Sequence, residues 1–153
     1  MTRPQTVLAF DFGLKRIGIA SADTLTRQAA PRAAATVGRG GPDWEAIARA
    51  VAALAPALLV VGSPYNADGS ATPLLDAARR FAAELERRFA LPVHMVDERY
   101  SSLEASATLR EQRASGQRRR RVRAADVDSA AAAVILGRWL QGEGEAGRKE
   151  TTP

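Results

Sequence analysis

Asp11, Glu98 and Asp128 are three carboxylates whose sequence surroundings point to shared chemistry. Asp11 directly follows Val7, Leu8, Ala9 and Phe10, a nearly all-apolar run that reads as a buried strand. An unpaired carboxylate in such surroundings is costly, so a strand that ends in Asp places it at a sheet edge, against a cation or a helix N-terminus. Glu98 stands at the end of a second strand-like run, residues 91–96, which closes in Asp97-Glu98-Arg99. Asp128 precedes Ala131, Ala132, Ile135 and Trp139, spaced so that all five share one helix face. Strand-end acids on parallel neighbours converge on one sheet edge, and with a single strand between them Asp11 and Glu98 stand about 10 Å apart. A Glu side chain closes much of that gap, and two metal ions about 3.5 to 4 Å apart can bridge the rest. Asp97 and Glu98 must point to opposite faces, and Glu98 has the longer reach.

Three hard oxygen ligands, no Cys and a single His favour Mg²⁺ or Mn²⁺ over zinc. A two-metal site of this kind suits phosphodiester hydrolysis: one ion activates water, the other stabilises the leaving oxygen, and a nearby Arg or Lys holds the phosphate. Each acid also has a plainer reading. Asp11 can open the turn that follows it, and Asp128 can cap its own helix, since Asp-x-Asp-Ser before a run of Ala is a good helix start. His94 lies within a strand pattern and reads as structural. Ser101 and Ser102 read as caps, because no His and acid can be set beside them.

The elements that must position these groups follow from periodicity and punctuation. Phe12 and Gly13 lead into a tight turn, and Ile17, Gly18, Ile19 and Ala20 resume as a second strand, so Asp11 lies near a hairpin tip. Residues 33–37 predict a third strand, and Gly38, Gly40, Gly41 and Pro42 a loop. Trp44, Ile47, Ala48, Val51 and Leu54 stripe a helix closed by Pro56, and residues 58–61 read as a buried parallel strand. After a polar loop over residues 62–72, Thr72 and Pro73 predict an N-cap followed by a first-turn proline, and Leu74, Ala78, Phe81, Leu85 and Phe89 stripe the next helix. Ser101 and Glu104 form a capping-box pattern for another helix. Three meandering strands pair antiparallel, whereas strands reached through helices cross over and lie parallel. The expectation is an α/β fold with a mixed five-stranded sheet, three strands antiparallel and two parallel, and helices on both faces.

Composition narrows the class. A chain of 153 residues is long enough to bury a core without staples. With no Cys, thiolate zinc sites and cysteine nucleophiles are excluded. No apolar run approaches a membrane span or a signal peptide, so the expectation is a cytoplasmic protein with no membrane partner. Lys and Arg number 22 against 17 acids, a net charge of +5 carried mostly by Arg, which suits a nucleic-acid binder. Arg118, Arg119, Arg120 and Arg121 form a basic run.

The segments FDFGLKRIGIA, VVGSPYNADGS, VDERYSSLEA and VDSAAAAVIL, in this order and spacing, resemble the YqgF family, also called RuvX, within the RNase H-like nucleases. The likeness runs from about residue 6 to residue 140 and implies an RNase H-like nuclease domain over residues 1–141, followed by a loose tail over residues 142–153. Members of that family are described as nucleases of pre-16S rRNA and as Holliday-junction resolvase-like. The resemblance implies that Asp11, Glu98 and Asp128 are the metal-binding acids and that the VGSPYNADG loop and Arg99 touch the nucleic acid. The candidate nucleic-acid contacts are thus Lys15, Arg16, Ser63, Asn66, Arg99 and the four arginines of the basic run. Two positions depart from the expected pattern. Leu14 stands after Gly13, where relatives commonly carry Thr or another small residue, and Asp126 is an extra acid that points about 200° away from Asp128 on a helix.

The reaction expected from this resemblance is maturation of the pre-16S rRNA 5′ end, with ribosomal particles as partners, or resolution of branched DNA, which requires a two-fold dimer rather than a monomer. Two other classes compete. The D-x-G-x-K-x-x-G pattern also resembles the first phosphate loop of sugar kinases and Hsp70-like ATPases, but those need two such halves and this chain supplies one. A catalytically silent RNA-binding module would use the basic run and leave the acids structural.

Overall fold

A computed structural model describes residues 4–64, 68–97, 109 and 123–143. Among the described residues six strands form one sheet in the order β4-β3-β2-β1-β5-β6: β1 (Thr6–Phe12), β2 (Arg16–Asp23), β3 (Ala30–Gly38), β4 (Gly41–Pro42), β5 (Leu58–Ser63) and β6 (Val93–Asp97). The first four pair antiparallel in sequence order, and β1, β5 and β6 run parallel. The mixed sheet is as expected, with one strand more. Gly41 and Pro42, read from sequence as loop, pair with Gly38 and Val37 as a two-residue edge strand, with Gly41 at a φ of 103° that suits glycine. The third strand is also longer than expected, because it continues along β2 as far as Ala30.

Helices cover both faces, and strand alternation shows which residues serve each. Leu8, Phe10, Ile17, Ile19, Leu59 and Val61 point to one face. There they meet Ile47 of α1 (Trp44–Leu54) and Phe81 and Leu85 of α2 (Leu74–Phe89). Phe81 is the hub of an aromatic cluster, with its ring centroid 5.7 Å from Phe10, 5.0 Å from Phe12 and 5.5 Å from Trp44. Val7, Ala9, Ala20, Ala22, Val60 and Val96 point to the other face and pack on Ala132, Ile135 and Leu136 of α3 (Ala124–Arg138). Residues Trp139–Glu143 extend α3 as a π-helical turn.

The helix ends are built from identifiable groups. Asp43 caps α1 by accepting from the Ala46 N–H at 3.1 Å, and Ala55 ends it in a left-handed conformation, one residue before Pro56. At α2 the expected Thr72 cap is not formed: Pro73 occupies the cap position, and the Thr72 hydroxyl donates to the Pro64 carbonyl at 2.6 Å. The hydroxyl fastens the preceding loop to the end of β5 instead. The capping box over Ser101 and Glu104 lies outside the described residues.

Candidate active site at the β1–α3 corner

Because Val7 and Ala9 face α3, alternation places Asp11 on the same side, at the carboxyl end of β1. Its direct cross-strand partner is Gly18. A Cβ built on Gly18 would lie 1.9 Å from the carbonyl oxygen of Asp128 and 2.7 Å from the Ser129 nitrogen, so any other residue would collide with the helix backbone. Glycine inside a strand is here the condition for a close helix approach. The helix supplies the matching half: Ser129, Ala130, Ala131 and Ala132 are all buried and small. Ser129 Oγ also accepts from the Ile19 N–H at 3.3 Å, beside the point where β2–β3 pairing slips by one residue. Asp11, Gly18 and the Asp128 turn of α3 thus share one corner of the molecule.

Asp128 is not a cap. Helix α3 begins four residues before it, and Asp126 does the capping, with its Oδ2 accepting from the Arg123 N–H at 2.9 Å. That assigns the extra acid a structural task and leaves Asp128 to the corner. Arg16, at the start of β2, meets it there, its Nε donating to Asp128 Oδ2 at 2.7 Å. Among the described residues, β1, β2 and α3 thus bring Asp11, Arg16 and Asp128 to this corner. The turn that carries Arg16 is tight, since a Cβ on Gly13 would lie 2.6 Å from the Arg16 carbonyl.

The remaining candidates are placed unevenly. Strand β5 does lie between β1 and β6, as the separation of Asp11 from Glu98 requires. Asp97 shares the face of Val93 and Met95, opposite to Asp11, so it does not serve the same corner. Ser63 is buried at the end of β5 on the face of Leu59 and Val61, so its hydroxyl also points away from Asp11. Lys15 is exposed in the β1–β2 turn, and so is Leu14, at 73%. His94 is structural as read, accepting on Nδ1 from Trp139 Nε1 at 3.1 Å. Glu98, Asn66, Arg99, Arg118, Arg119, Arg120 and Arg121 lie outside the described residues. Among the described residues no three His, Cys, Asp or Glu side chains gather into a metal-holding group.

The Arg16–Asp128 pair and the seat of α3 on Gly18 are not apparent from periodicity. The one sequence signal was Gly18 itself, a glycine interrupting a β-branched run, set against a run of Ala in a helix 110 residues later.

Two carboxylates at a sheet corner are hard oxygen donors of the type that Mg²⁺ and Mn²⁺ take. Asp11 and Asp128 therefore suit a divalent cation, and a third ligand would complete such a site.

A family model described as "RuvX: Holliday junction resolvase" matches residues 5–142. A Legionella pneumophila protein named "Putative pre-16S rRNA nuclease" is 46% identical over 134 residues, covering 88% of this chain and 94% of its own. A Xanthomonas campestris protein of the same name is 45% identical over 141 residues, covering 92% of this chain and 90% of its own. Among solved structures, Thermus thermophilus RuvC in complex with a Holliday junction substrate aligns over 92% of this chain and 96% of its own, with a TM-score of 0.53 at 14% identity. That likeness concerns the fold, which is RNase H-like. Among the described residues no helix is long and apolar enough to cross a membrane.

Proposed function

Because the chain belongs to the RuvX family and is a nuclease, we propose that it is a metal-dependent phosphodiesterase that matures the 5′ end of pre-16S rRNA. The observation that carries this reading is the placement of Asp11 across Gly18 from the helix turn that bears Asp128. Asp11, Asp128 and Glu98 are the proposed ligands of Mg²⁺ or Mn²⁺, in a site that takes two ions. Bound there, the metal supplies a nucleophilic water at neutral pH and charge stabilisation at the leaving oxygen. The protein's own part is positional. Gly18 and the small face of α3 bring the carboxylates to one corner, Lys15 and Arg16 on the adjoining turn offer cations to the phosphate, and Arg99, Asn66 and the arginine run extend the contact along the strand. The buried Ser63 side chain is left out of this contact set; its main chain ends β5 beside the site. The domain that does this spans residues 1–141, acts in the cytoplasm, and meets its substrate on ribosomal particles.

Resolution of four-way junctions is the second reading, favoured by the family description. Both are tested by offering labelled pre-16S 5′ leader, linear single-stranded RNA and DNA, and a four-way junction, each with Mg²⁺, Mn²⁺ or EDTA. The expected result is cation-dependent cutting of the leader, reduced at least about 100-fold by Asp11→Asn with the melting temperature unchanged. Preference for the junction would select the resolvase. Cutting that survives Asp11→Asn would overturn the site, and cutting of none of them, with RNA binding retained, would favour the silent module.

A further inference from the structure

Resting on the metal-site reading above, we propose that Arg16 is an exchangeable partner of Asp128: it holds the carboxylate while no divalent cation is bound, and turns to the substrate phosphate once the carboxylate is engaged by one. The pair joins residues 112 apart through a single 2.7 Å contact from Nε to Oδ2. Among the described residues this is the guanidinium's one hydrogen bond, so most of its donors remain for a phosphate. Both side chains are accessible, 37% for Arg16 and 28% for Asp128, so the pair sits where exchange with solvent ions is cheap. A divalent cation on either oxygen of the carboxylate draws on the charge that holds Arg16 and repels the guanidinium, and Arg16 opens β2 directly after Lys15, which is exposed in the turn. Metal binding and phosphate binding are then linked through one side chain, each favouring the other. Arg16 is in this sense both a positioning residue for Asp128 and a phosphate contact.

A plain clamp between β2 and α3 makes the opposite forecast. Calorimetric titration of the metal-free chain with Mn²⁺ separates the two. Exchange expects Arg16→Met to bind Mn²⁺ about fivefold more tightly than wild type, the weight of one half-exposed ion pair, with Lys15→Met, a loss of the same charge on the same turn, changing affinity less than about twofold. A clamp expects a lower melting temperature and Mn²⁺ affinity that is unchanged or weaker, which would overturn exchange. The second arm reads anisotropy of a labelled single-stranded RNA. Arg16→Met should bind it like wild type in EDTA but about fivefold more weakly in Ca²⁺, which seeks the same oxygen ligands. An equal loss in both conditions would refute release. Should Arg16→Met not fold, Arg16→Lys, whose point charge pairs more loosely, is read in the same way. Asp11→Asn keeps the readings apart: Mn²⁺ binding undiminished in that variant would sink the metal site itself rather than the exchange.

Discussion

The two faces of the sheet are closed by opposite means. Towards α1 and α2, the sheet presents Leu8, Phe10, Ile17, Ile19, Leu59 and Val61, and the gap is filled by bulky groups gathered around Phe81. Towards α3 it presents Val7, Val60 and Val96 to Ile135 and Leu136, but around Gly18 it offers only Ala9, Ala20 and Ala22, and there the helix answers with Ser129, Ala130, Ala131 and Ala132. Large side chains hold a helix at a distance and can repack when one of them changes. Small ones let backbone meet backbone, which leaves little room for adjustment. The proposed site lies on the second kind of face, where Asp128 would need a defined place relative to Asp11. Stability can be shared widely over the first face, whereas precision is concentrated on the second.

Substitutions on the two faces should therefore differ in what they damage. Gly18→Ala should be the most severe, because its Cβ would fall 1.9 Å from a main-chain oxygen that cannot swing aside. We expect a loss of about 3 kcal/mol by denaturant unfolding and, in the folded fraction, cleavage reduced in parallel with Asp11→Asn. If Gly18→Ala cleaves normally, the close approach is not what positions the site. Phe81→Leu, on the opposite face, should cost about 1 to 2 kcal/mol through lost ring contacts while leaving cleavage per folded molecule close to wild type. A selective loss of activity there would erase the contrast between the faces.

The smallest effect is expected on the outer side of α2. Glu84 accepts from Arg87 and Arg88, and chiefly the Arg87 hydrogen bond lowers its pKa from 4.5 to about 2. A carboxylate whose folded value is depressed contributes stability that is present above its unfolded value and is lost as pH falls through the folded value, here between 4.5 and about 2. An NMR titration should place the Glu84 midpoint near 2 in wild type and move it towards 4.5 in Arg87→Gln, with cleavage at neutral pH unaffected. A midpoint already near the ordinary value in wild type would show that the pairing is only transient.

The ion pairs of Glu84 and of Asp128 also mark what can be read from sequence. Glu84 with Arg87 and Arg88 is visible at once, since three and four residues bring side chains together on a helix. Arg16 with Asp128 is not, because only the docking of α3 on Gly18 brings them together. The same division runs through the fold. The strand runs around Asp11 and Val60 and the stripe of α2 follow from local periodicity and agree with the structure, whereas in α1 Ala48 of the expected stripe is exposed and Ala46 packs on the core instead. Edge strand β4 is not legible in the sequence, because Gly41 and Pro42 have no strand propensity and owe their pairing to the neighbouring Val37 and Gly38. The Thr72 hydroxyl departs from its expected capping role because a nearby loop carbonyl, that of Pro64, outcompetes the helix end. In the sequence Asp128 suits both cap and ligand, and in the structure Asp126 takes the first of these roles.

The seating of α3 on Gly18 has a consequence for synthesis. Asp128 follows Asp11 out of the ribosome by more than a hundred residues, and the corner exists only once the later helix has docked on the earlier hairpin. A nascent chain that has emerged no further than β6 carries the first of the proposed acids without the last, and so has not yet formed the proposed site.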